Sequence, residues 1–276
     1  MTELPRLAQI WYYPVKSLPG IRVKSALAGL RGLEGDRRFM LCDQDNRFIS
    51  VRQRKELYRF NVAISHDMLV ISHPDEPTPC RLNLNPVHGE ELQVTVWDDV
   101  VSAIEPDKMV SQWFSNLLGE EIKLVYMPAD SERIIGKRWH TGRDLVSFAD
   151  GYAYLVTGKS SLDDVSEKTG LQPDPRRFRP NLVIDGTPEY EEFFWKEIIV
   201  GGVKFSALKP CERCVVTTID PDSGIAGKEP LQMLAGRKID GKVVFGQHAS
   251  VQSDGIIHEG DAVQILLRKE SPYDPL

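Results

Sequence analysis

Residues 61–72 read NVAISHDMLVIS, and this stretch decides the fold class of the chain. Two short runs of mainly apolar residues, 61–65 and 68–72, flank the pair His66-Asp67, which predicts two strands that pair around a turn. Similar short runs, separated by turn residues, continue through the first hundred residues. The pattern therefore predicts a chain dominated by short antiparallel strands.

A helical period interrupts the strands at two places. Between Met109 and Leu118 the apolar side chains fall on one helical face, and Gly119 can end the helix. A second short helix is expected from Ser161, with Asp164 completing its cap, to about Thr169. The fold class is therefore α+β, mostly β, with a few short helices. The sequence places an approximate boundary between two halves of the chain near residues 119–128.

Composition and charge exclude several classes of protein. The chain has 276 residues, 41% of them apolar and 27% charged, which is ordinary for a globular protein. A net charge of −6 argues against general nucleic-acid binding, which needs a positive surface. No apolar run approaches the ~20 residues of a membrane span. Four cysteines in a chain of this length make no disulfide framework, so a reducing cytoplasm is expected.

The pair Cys211-x-x-Cys214 is the main candidate for chemistry. Both thiols are expected where a loop enters a strand of β-branched residues, and Arg213 next to Cys214 should lower the pKa of a thiol. A structural zinc site needs four ligands, but Cys42 and Cys80 are scattered. A thioredoxin-like pair precedes a helix, and iron–sulfur clusters need more thiolates. One reactive thiolate, a single soft ligand to a metal that arrives largely coordinated, and two inert buried thiols all remain open.

Cations beside turn residues are the second candidate feature. They occur at Lys16-Ser17, after the first strand, at Arg37, and at Arg179, before a later strand. Each is also a common surface pattern. Arginine and lysine at strand ends can hold a phosphate, and each charge-assisted bond contributes ~1.5–3 kcal/mol. Three such cations that converge would retain a small anionic cofactor.

A basic loop spans residues 128–150. It carries five residues of this kind: Arg133, Lys137, Arg138, His140 and Arg143. The loop is either a solvated surface or a rim that attracts an anionic ligand.

Taken together, these patterns resemble a known family. The motifs, in chain order, are Tyr13-Pro14-Val15-Lys16-Ser17, Asp36-Arg37, Val51-Arg52-Gln53, Ser147-Phe148-Ala149-Asp150, Phe178-Arg179-Pro180-Asn181, Cys211-Glu212-Arg213-Cys214 with Thr217-Thr218, Lys228-Glu229-Pro230 and Phe245-Gly246-Gln247. The chain resembles the molybdenum cofactor sulfurase C-terminal (MOSC) family, in the branch with an N-terminal β-barrel domain. That branch includes the mitochondrial amidoxime reducing component and bacterial N-hydroxylaminopurine reductases.

The resemblance implies a domain plan. It runs from Tyr12 to about Leu267, and it implies an N-terminal β-barrel-like domain over residues 1–122, a MOSC β-barrel domain over residues 123–270 and a tail over residues 271–276. Two associated β-rich lobes would hold a cofactor between them.

The resemblance also implies the roles of individual residues. Cys214 would be the catalytic residue and the protein thiolate on molybdenum, in a molybdenum cofactor (Mo-molybdopterin). The pyranopterin and its phosphate would be held by Lys16, Ser17, Arg37 and Arg179, with Asp150, Glu212, Arg213 and His248 at further cofactor-contacting positions. Several relatives carry serine where Glu212 stands, so its contact is expected from the backbone. His248 replaces a tyrosine of the mitochondrial members, and no ligation is implied for Cys211.

The activity implied by the resemblance is two-electron reduction of N-hydroxylated compounds, in a detoxification role. Substrates would be amidoximes, hydroxylamines and N-hydroxylated base analogues. Electrons would come from a separate protein, either a flavoprotein reductase or a ferredoxin-type carrier, and no nucleic acid or membrane is expected as a partner. Two alternatives stay open: a sulfur transferase with a persulfide on Cys214, and a module that binds or delivers the cofactor.

Overall fold

A computed structural model describes residues 4–134, 139 and 144–274 of the chain. The described part is mostly β. Its strands are β1 (Arg6–Tyr12), β2 (Ile21–Val23), β3 (Ser25–Gly29), β4 (Gly32–Leu33), β5 (Phe39–Cys42), β6 (Asn61–Ser65), β7 (Met68–His73), β8 (Glu76–Asn83), β9 (Glu90–Val96), β10 (Asp99–Glu105), β11 (Lys123–Tyr126), β12 (Tyr154–Gly158), β13 (Leu182–Asp185), β14 (Trp195–Val200), β15 (Val203–Glu212), β16 (Val244–Val251), β17 (Gly255–His258) and β18 (Val263–Arg268). Its α-helices are α1 (Lys108–Leu118), α2 (Lys159–Thr169) and α3 (Leu231–Ala235). No helix in this part is long and apolar enough to cross a membrane.

An eight-stranded sheet forms the larger lobe. Its order is β18-β14-β15-β16-β12-β13-β1-β2, and within it only the pair β12–β13 is parallel. One face packs a core around the fully buried side chains of Trp195, Phe205 and Tyr154. The antiparallel pairing of β15 with β16 places the cysteine stretch beside His248, since β15 ends at Glu212.

The smaller lobe combines two sheets with α1. The sheet β5-β11-β10-β9 and the hairpin sheet β6-β7-β8 enclose a core that includes Phe39, Phe60 and Phe114. The predicted hairpin is confirmed, with Ser65 opposite Met68 and Asn61 opposite Ser72. The mostly β fold class predicted from this pattern is confirmed as well.

The first predicted helix is confirmed as α1. The Asp107 side chain caps it by accepting a hydrogen bond from the Met109 N–H at 2.8 Å. Gly119 ends it with φ 73° and donates its N–H to the Ser115 carbonyl at 2.9 Å. Left-handed backbone at this position suits glycine, because glycine has no Cβ to clash.

The second helix begins earlier than predicted. Helix α2 starts at Lys159 and has Gly158 at its N-cap with no side-chain cap. Ser161 lies inside the helix instead, where its hydroxyl donates to Glu192 Oε2 at 2.9 Å and accepts from the Tyr190 N–H at 2.7 Å. A tertiary contact therefore takes the hydroxyl that the sequence pattern assigned to capping.

The β-branched run after Cys214 is a 3₁₀ helix, Val215–Thr218, and the strand predicted there is wrong. The hydroxyls of Thr217 and Thr218 donate to the carbonyls of Cys214 at 3.0 Å and Val215 at 2.7 Å. Side chains that bond locally to backbone offer an alternative to a sheet ladder, which outweighs β propensity here. The thiols thus lie where a strand ends.

Strands on each side of the boundary expected between residues 122 and 123 pair with strands from the other side of it. Strands β1 and β2 belong to the eight-stranded sheet, which is otherwise built from residues after 150. Strand β11, just after the boundary, pairs with β5 of the smaller lobe, with Lys123 opposite Cys42. The division into residues 1–122 and 123–270 stays a prediction about sequence domains, and the packing crosses it.

Candidate functional site

A cavity between the lobes gathers every residue to which the resemblance gave a role at the cofactor. It measures about 1040 Å³, counting the part open to solvent. The predicted residues that line it are Lys16, Ser17, Arg37, Asp150, Arg179, Glu212, Arg213, Cys214 and His248. Residues from both ends of the chain line this cavity because β1 and β2 join the sheet that carries β15 and β16.

The deep end of the cavity contains two arginines stacked on one tyrosine. The guanidinium carbons of Arg37 and Arg179 lie 4.2 and 4.4 Å from the centroid of the Tyr13 ring, which is fully buried. Arg37 Nη1 donates to Asn181 Oδ1 at 3.2 Å, and Arg179 Nη1 donates to the Leu18 carbonyl at 2.7 Å. Two positive charges are thus fixed side by side at this end, where an anion gains most from them.

Three of the predicted cofactor contacts have left-handed backbone. The φ angles are 71° at Ser17, 50° at Arg37 and 56° at Arg179. This region is uncommon for residues other than glycine, and each instance costs of order 1–3 kcal/mol. Strain of this kind concentrates at ligand sites, which makes the local main chain a second indication that this end of the cavity binds a ligand.

Lys16 is buried at the cavity wall and forms an ion pair with the Asp150 carboxylate. Burial lowers the pKa of Lys16, and the charge of Asp150 opposes that shift. The Lys16 charge and hydrogen bonds from Lys16 and Trp97 hold the pKa of the exposed Asp150 carboxyl below its usual range. The ion pair fixes the positions of both side chains.

Arg133 does not line the cavity, but it holds the segment that leads to Asp150. It is buried, pairs with Asp99 Oδ2 at 2.7 Å and donates to the carbonyls of Ser147 at 3.1 Å and Ala149 at 2.5 Å. It thus fixes the segment that ends at Asp150, and its assignment to a ligand-attracting rim is wrong. The other predicted cations of this loop, Lys137, Arg138, His140 and Arg143, lie outside the described residues.

The two cysteines have different surroundings. Arg213 Nη1 lies 2.9 Å from Cys211 Sγ and Nη2 donates to the Phe178 carbonyl at 2.7 Å, so the guanidinium faces Cys211, whereas the sequence predicted that it would face Cys214. β15 ends at Glu212, but the Arg213 N–H still donates to the Val243 carbonyl at 2.8 Å and so continues the pairing. Residues two apart along such a segment share a face, and Cys211 and Arg213 are such a pair. Burial raises the pKa of Cys211, but the charges of Arg213 and His248 outweigh it and lower the pKa to about 6.

Cys214 is half-buried at the N-terminus of the 3₁₀ helix. The Arg52 guanidinium approaches it, with Nη2 3.4 Å from Cys214 Sγ. The Arg52 guanidinium in turn covers the Trp97 ring at 5.1 Å. Sequence reasoning gave no role to either residue, although Arg52 lies within the motif Val51-Arg52-Gln53.

Glu212 and His248 complete the wall near the cysteines. Glu212 Oε1 accepts from Lys242 Nζ at 2.5 Å, and this hydrogen bond lowers the pKa of the carboxyl. Its charge is therefore compensated at the rim, which agrees with a backbone rather than a side-chain contact to an anionic ligand. The His248 ring stacks on Tyr152 with centroids 4.4 Å apart, and its buried Nδ1 has no hydrogen-bond partner among the described residues.

We expect Cys211 to ionise near pH 6. In a cofactor-free Cys214→Ser protein, the ultraviolet absorbance of thiolate should appear with a midpoint of about 6, because Arg213 and His248 stabilise the anion. Since the folded-state pKa is lower than the unfolded one, this thiolate adds stability at alkaline pH and loses it as the pH falls toward 6. Arg213→Gln should move the midpoint upward. A midpoint near the ordinary value of 9.0 in the Cys214→Ser protein with Arg213 intact would contradict the geometry.

Comparison with known proteins places this architecture in a family. Residues 4–121 match the MOSC N-terminal beta barrel domain and residues 130–264 match the MOSC domain. The chain therefore belongs to the MOSC domain family, in the form with an N-terminal β-barrel domain, and the family expected from the motifs is confirmed.

Individual relatives are similar over nearly the whole chain. Mitochondrial amidoxime-reducing component 1 of Mus musculus is 28% identical over 96% of this chain and 84% of its own length. Molybdenum cofactor sulfurase 2 of Culex quinquefasciatus is 27% identical over 96% of this chain and 37% of its own length. The crystal structure of YUAD protein from Bacillus subtilis covers 95% of this chain and 94% of that chain, with 9% identity and a TM-score of 0.42.

Proposed function

We propose that this protein is a molybdenum-cofactor-dependent reductase of N-hydroxylated compounds, among them amidoximes, hydroxylamines and N-hydroxylated base analogues. One observation carries the proposal: a half-buried thiol, Cys214, shares a cavity with three cationic side chains, Lys16, Arg37 and Arg179. The similarity to amidoxime-reducing components over 96% of the chain supports the reaction class.

The residues present fit such a cofactor. A thiolate suits a soft metal, and stacked arginines suit a phosphate. Two buried nitrogens in the cavity wall, Arg213 Nε and His248 Nδ1, have no hydrogen-bond partner among the described residues. Buried polar groups are rarely left unpaired, so these nitrogens favour a polar ligand between them.

The roles of the side chains follow from position. The cofactor, when bound, would supply the two-electron reduction, in which R–NHOH with two electrons and two protons gives R–NH₂ and water. Cys214 would hold the metal. Arg37 and Arg179 would bind the phosphate at the deep end, and the Lys16–Asp150 pair would fix the wall between that end and the mouth. Substrate would then enter from the side that is open to solvent.

We also propose an electron source and a location. Electrons would come from a separate flavoprotein reductase or ferredoxin-type carrier that docks at the cavity mouth. Location in the cytoplasm rests on the cysteine content alone and stays a prediction, since the amidoxime-reducing relatives are named as mitochondrial.

Metal analysis tests the proposal. We expect about one molybdenum per chain in protein from cells that make the cofactor, and reduction of benzamidoxime by a reduced viologen. Metal-free protein that carries a persulfide on Cys214 would contradict the reductase and favour the sulfur transferase. Protein with bound cofactor but no reduction of any N-hydroxylated compound would favour a binding or delivery module.

A further inference from the structure

Arg52 is a cation at the mouth of the cavity with no carboxylate partner among the described residues. Two other cations of this cavity pair with carboxylates: Lys16 with Asp150, and Arg37, whose Nη1 lies 2.5 Å from Asp36 Oδ2. Arg179 and Arg213 donate to the backbone carbonyls of Leu18 and Phe178. Arg52 instead approaches a sulfur, with Nη2 3.4 Å from Cys214 Sγ. Its remaining donors are free to bind a ligand at that point, since the side chain is exposed.

Trp97 holds the Arg52 guanidinium in place. The indole is 39% exposed, yet its position is fixed by three contacts: the guanidinium at 5.1 Å, the Phe48 ring at 4.8 Å, and a hydrogen bond from Nε1 to Asp150 Oδ1 at 3.3 Å. The backbone of Trp97 is left-handed, with φ 57°, in the turn between β9 and β10. An exposed aromatic residue kept in a strained conformation by polar contacts is typical of a functional position.

The position of the pair separates it from the proposed cofactor contacts. Arg37 and Arg179 lie against the buried Tyr13, whereas Arg52 and Trp97 are exposed at the mouth. If the cofactor fills the deep end, a substrate that approaches Cys214 from solvent passes this pair first. A guanidinium at the mouth would therefore contact the N–OH group of the substrate and not the phosphate of the cofactor.

We propose that Arg52 is a substrate-binding residue, whose guanidinium donates a hydrogen bond to the oxygen of the N–OH group, and that Trp97 is the positioning residue that keeps it beside Cys214. This inference rests on the proposed function. A guanidinium has hydrogen-bond donors and no acceptor, so Arg52 binds and orients the oxygen. Its planar fork also fits flat against a conjugated amidoxime group.

Four variants of the molybdenum-loaded protein test the inference: Arg52→Gln, Arg52→Lys, Trp97→Leu and Trp97→Phe. Loss of one hydrogen bond to a charged group corresponds to a fall of ~10–100-fold in kcat/KM for benzamidoxime in Arg52→Gln. Arg52→Lys should recover part of that loss, because it keeps the charge without the fork. Trp97→Phe keeps an aromatic face but loses the Nε1 hydrogen bond to Asp150, so kcat/KM should fall less than in Trp97→Leu, and both should fall less than Arg52→Gln, with molybdenum per chain unchanged throughout.

A double variant separates positioning from direct contact. If Trp97 acts through Arg52, Arg52→Gln with Trp97→Leu should be no slower than Arg52→Gln alone, because coupled residues are not additive. Fluorescence titration of the oxidised protein with benzamidoxime gives affinity without turnover, and it should weaken in Arg52→Gln. Arg59→Gln, which removes a surface arginine paired with Asp75 away from the cavity, is the control and should change neither value.

Two results would overturn the inference. One is full kcat/KM in Arg52→Gln with full molybdenum content. The other is loss of molybdenum from Arg52→Gln, which would make Arg52 a cofactor contact. Failure of the proposed function looks different, since the parent protein, loaded with molybdenum, would then reduce neither benzamidoxime nor a hydroxylamine.

Discussion

Replacing Cys214 with serine is expected to abolish reduction of benzamidoxime while the fold stays intact. Serine has nearly the same shape, and Cys214 Sγ is half-buried beside the Arg52 guanidinium, so packing changes little. A serine hydroxyl is a hard and protonated group, which makes it a poor substitute for thiolate on a soft metal. The loss should exceed the ~10–100-fold that is typical of removing a partner outside the metal's own ligands. Molybdenum per chain, turnover and a denaturation curve measure the three parts of this expectation.

Cys211→Ser is the matched control, since it makes the same change three residues away in the same cavity. Cys211 contacts Arg213 and His248, so its loss should disturb the wall and reduce turnover by no more than ~10–100-fold, with molybdenum retained. The opposite pattern, an inactive Cys211→Ser and an active Cys214→Ser, would make Cys211 the metal ligand. Arg213, which contacts Cys211, would then lie next to the metal ligand.

The sequence predicted several of the residues that line the cavity, but it did not predict the contacts that they make there. Motifs identified Lys16, Arg37, Arg179 and Cys214 because each stands in a short pattern that can be compared locally. Arg179 reaches the Leu18 carbonyl, 161 residues earlier, only because β1 inserts into the larger sheet beside β13. Such pairing depends on packing across the whole fold, about which a local pattern carries no information.

Two of the errors near the cysteines have local physical causes. Adjacency in sequence suggested that Arg213 would face Cys214, but extended backbone turns neighbouring side chains to opposite faces. β propensity suggested a strand after Cys214, but two threonine hydroxyls bond to the local backbone instead. Arg52 and Trp97 were missed because they lie 45 positions apart by residue number and meet only through the turn between β9 and β10.

Replacing Tyr13 with alanine should have the largest effect on stability among changes in the cavity. Its ring is fully buried, and the guanidinium groups of Arg37 and Arg179 both pack against it. Removing a buried aromatic ring lowers the free energy of unfolding by ~3–5 kcal/mol, and each lost cation–π contact adds ~0.5–2 kcal/mol. The two arginines would also lose the surface that orients them, so molybdenum content should fall together with stability. Chemical denaturation and metal analysis of the same preparation check both expectations.

Tyr13→Phe separates the ring from the hydroxyl. The Tyr13 hydroxyl is buried and has no hydrogen-bond partner among the described residues, so its removal should leave the free energy of unfolding unchanged or raise it slightly. The ring and both arginine contacts are kept, so molybdenum content should match the parent protein. A loss in Tyr13→Phe as large as that in Tyr13→Ala would mean that the hydroxyl is satisfied by ordered water, in the second cavity that Tyr13 lines with Tyr58 and Arg176. In that case hydration, and not the aromatic stack, would hold Arg179 in place.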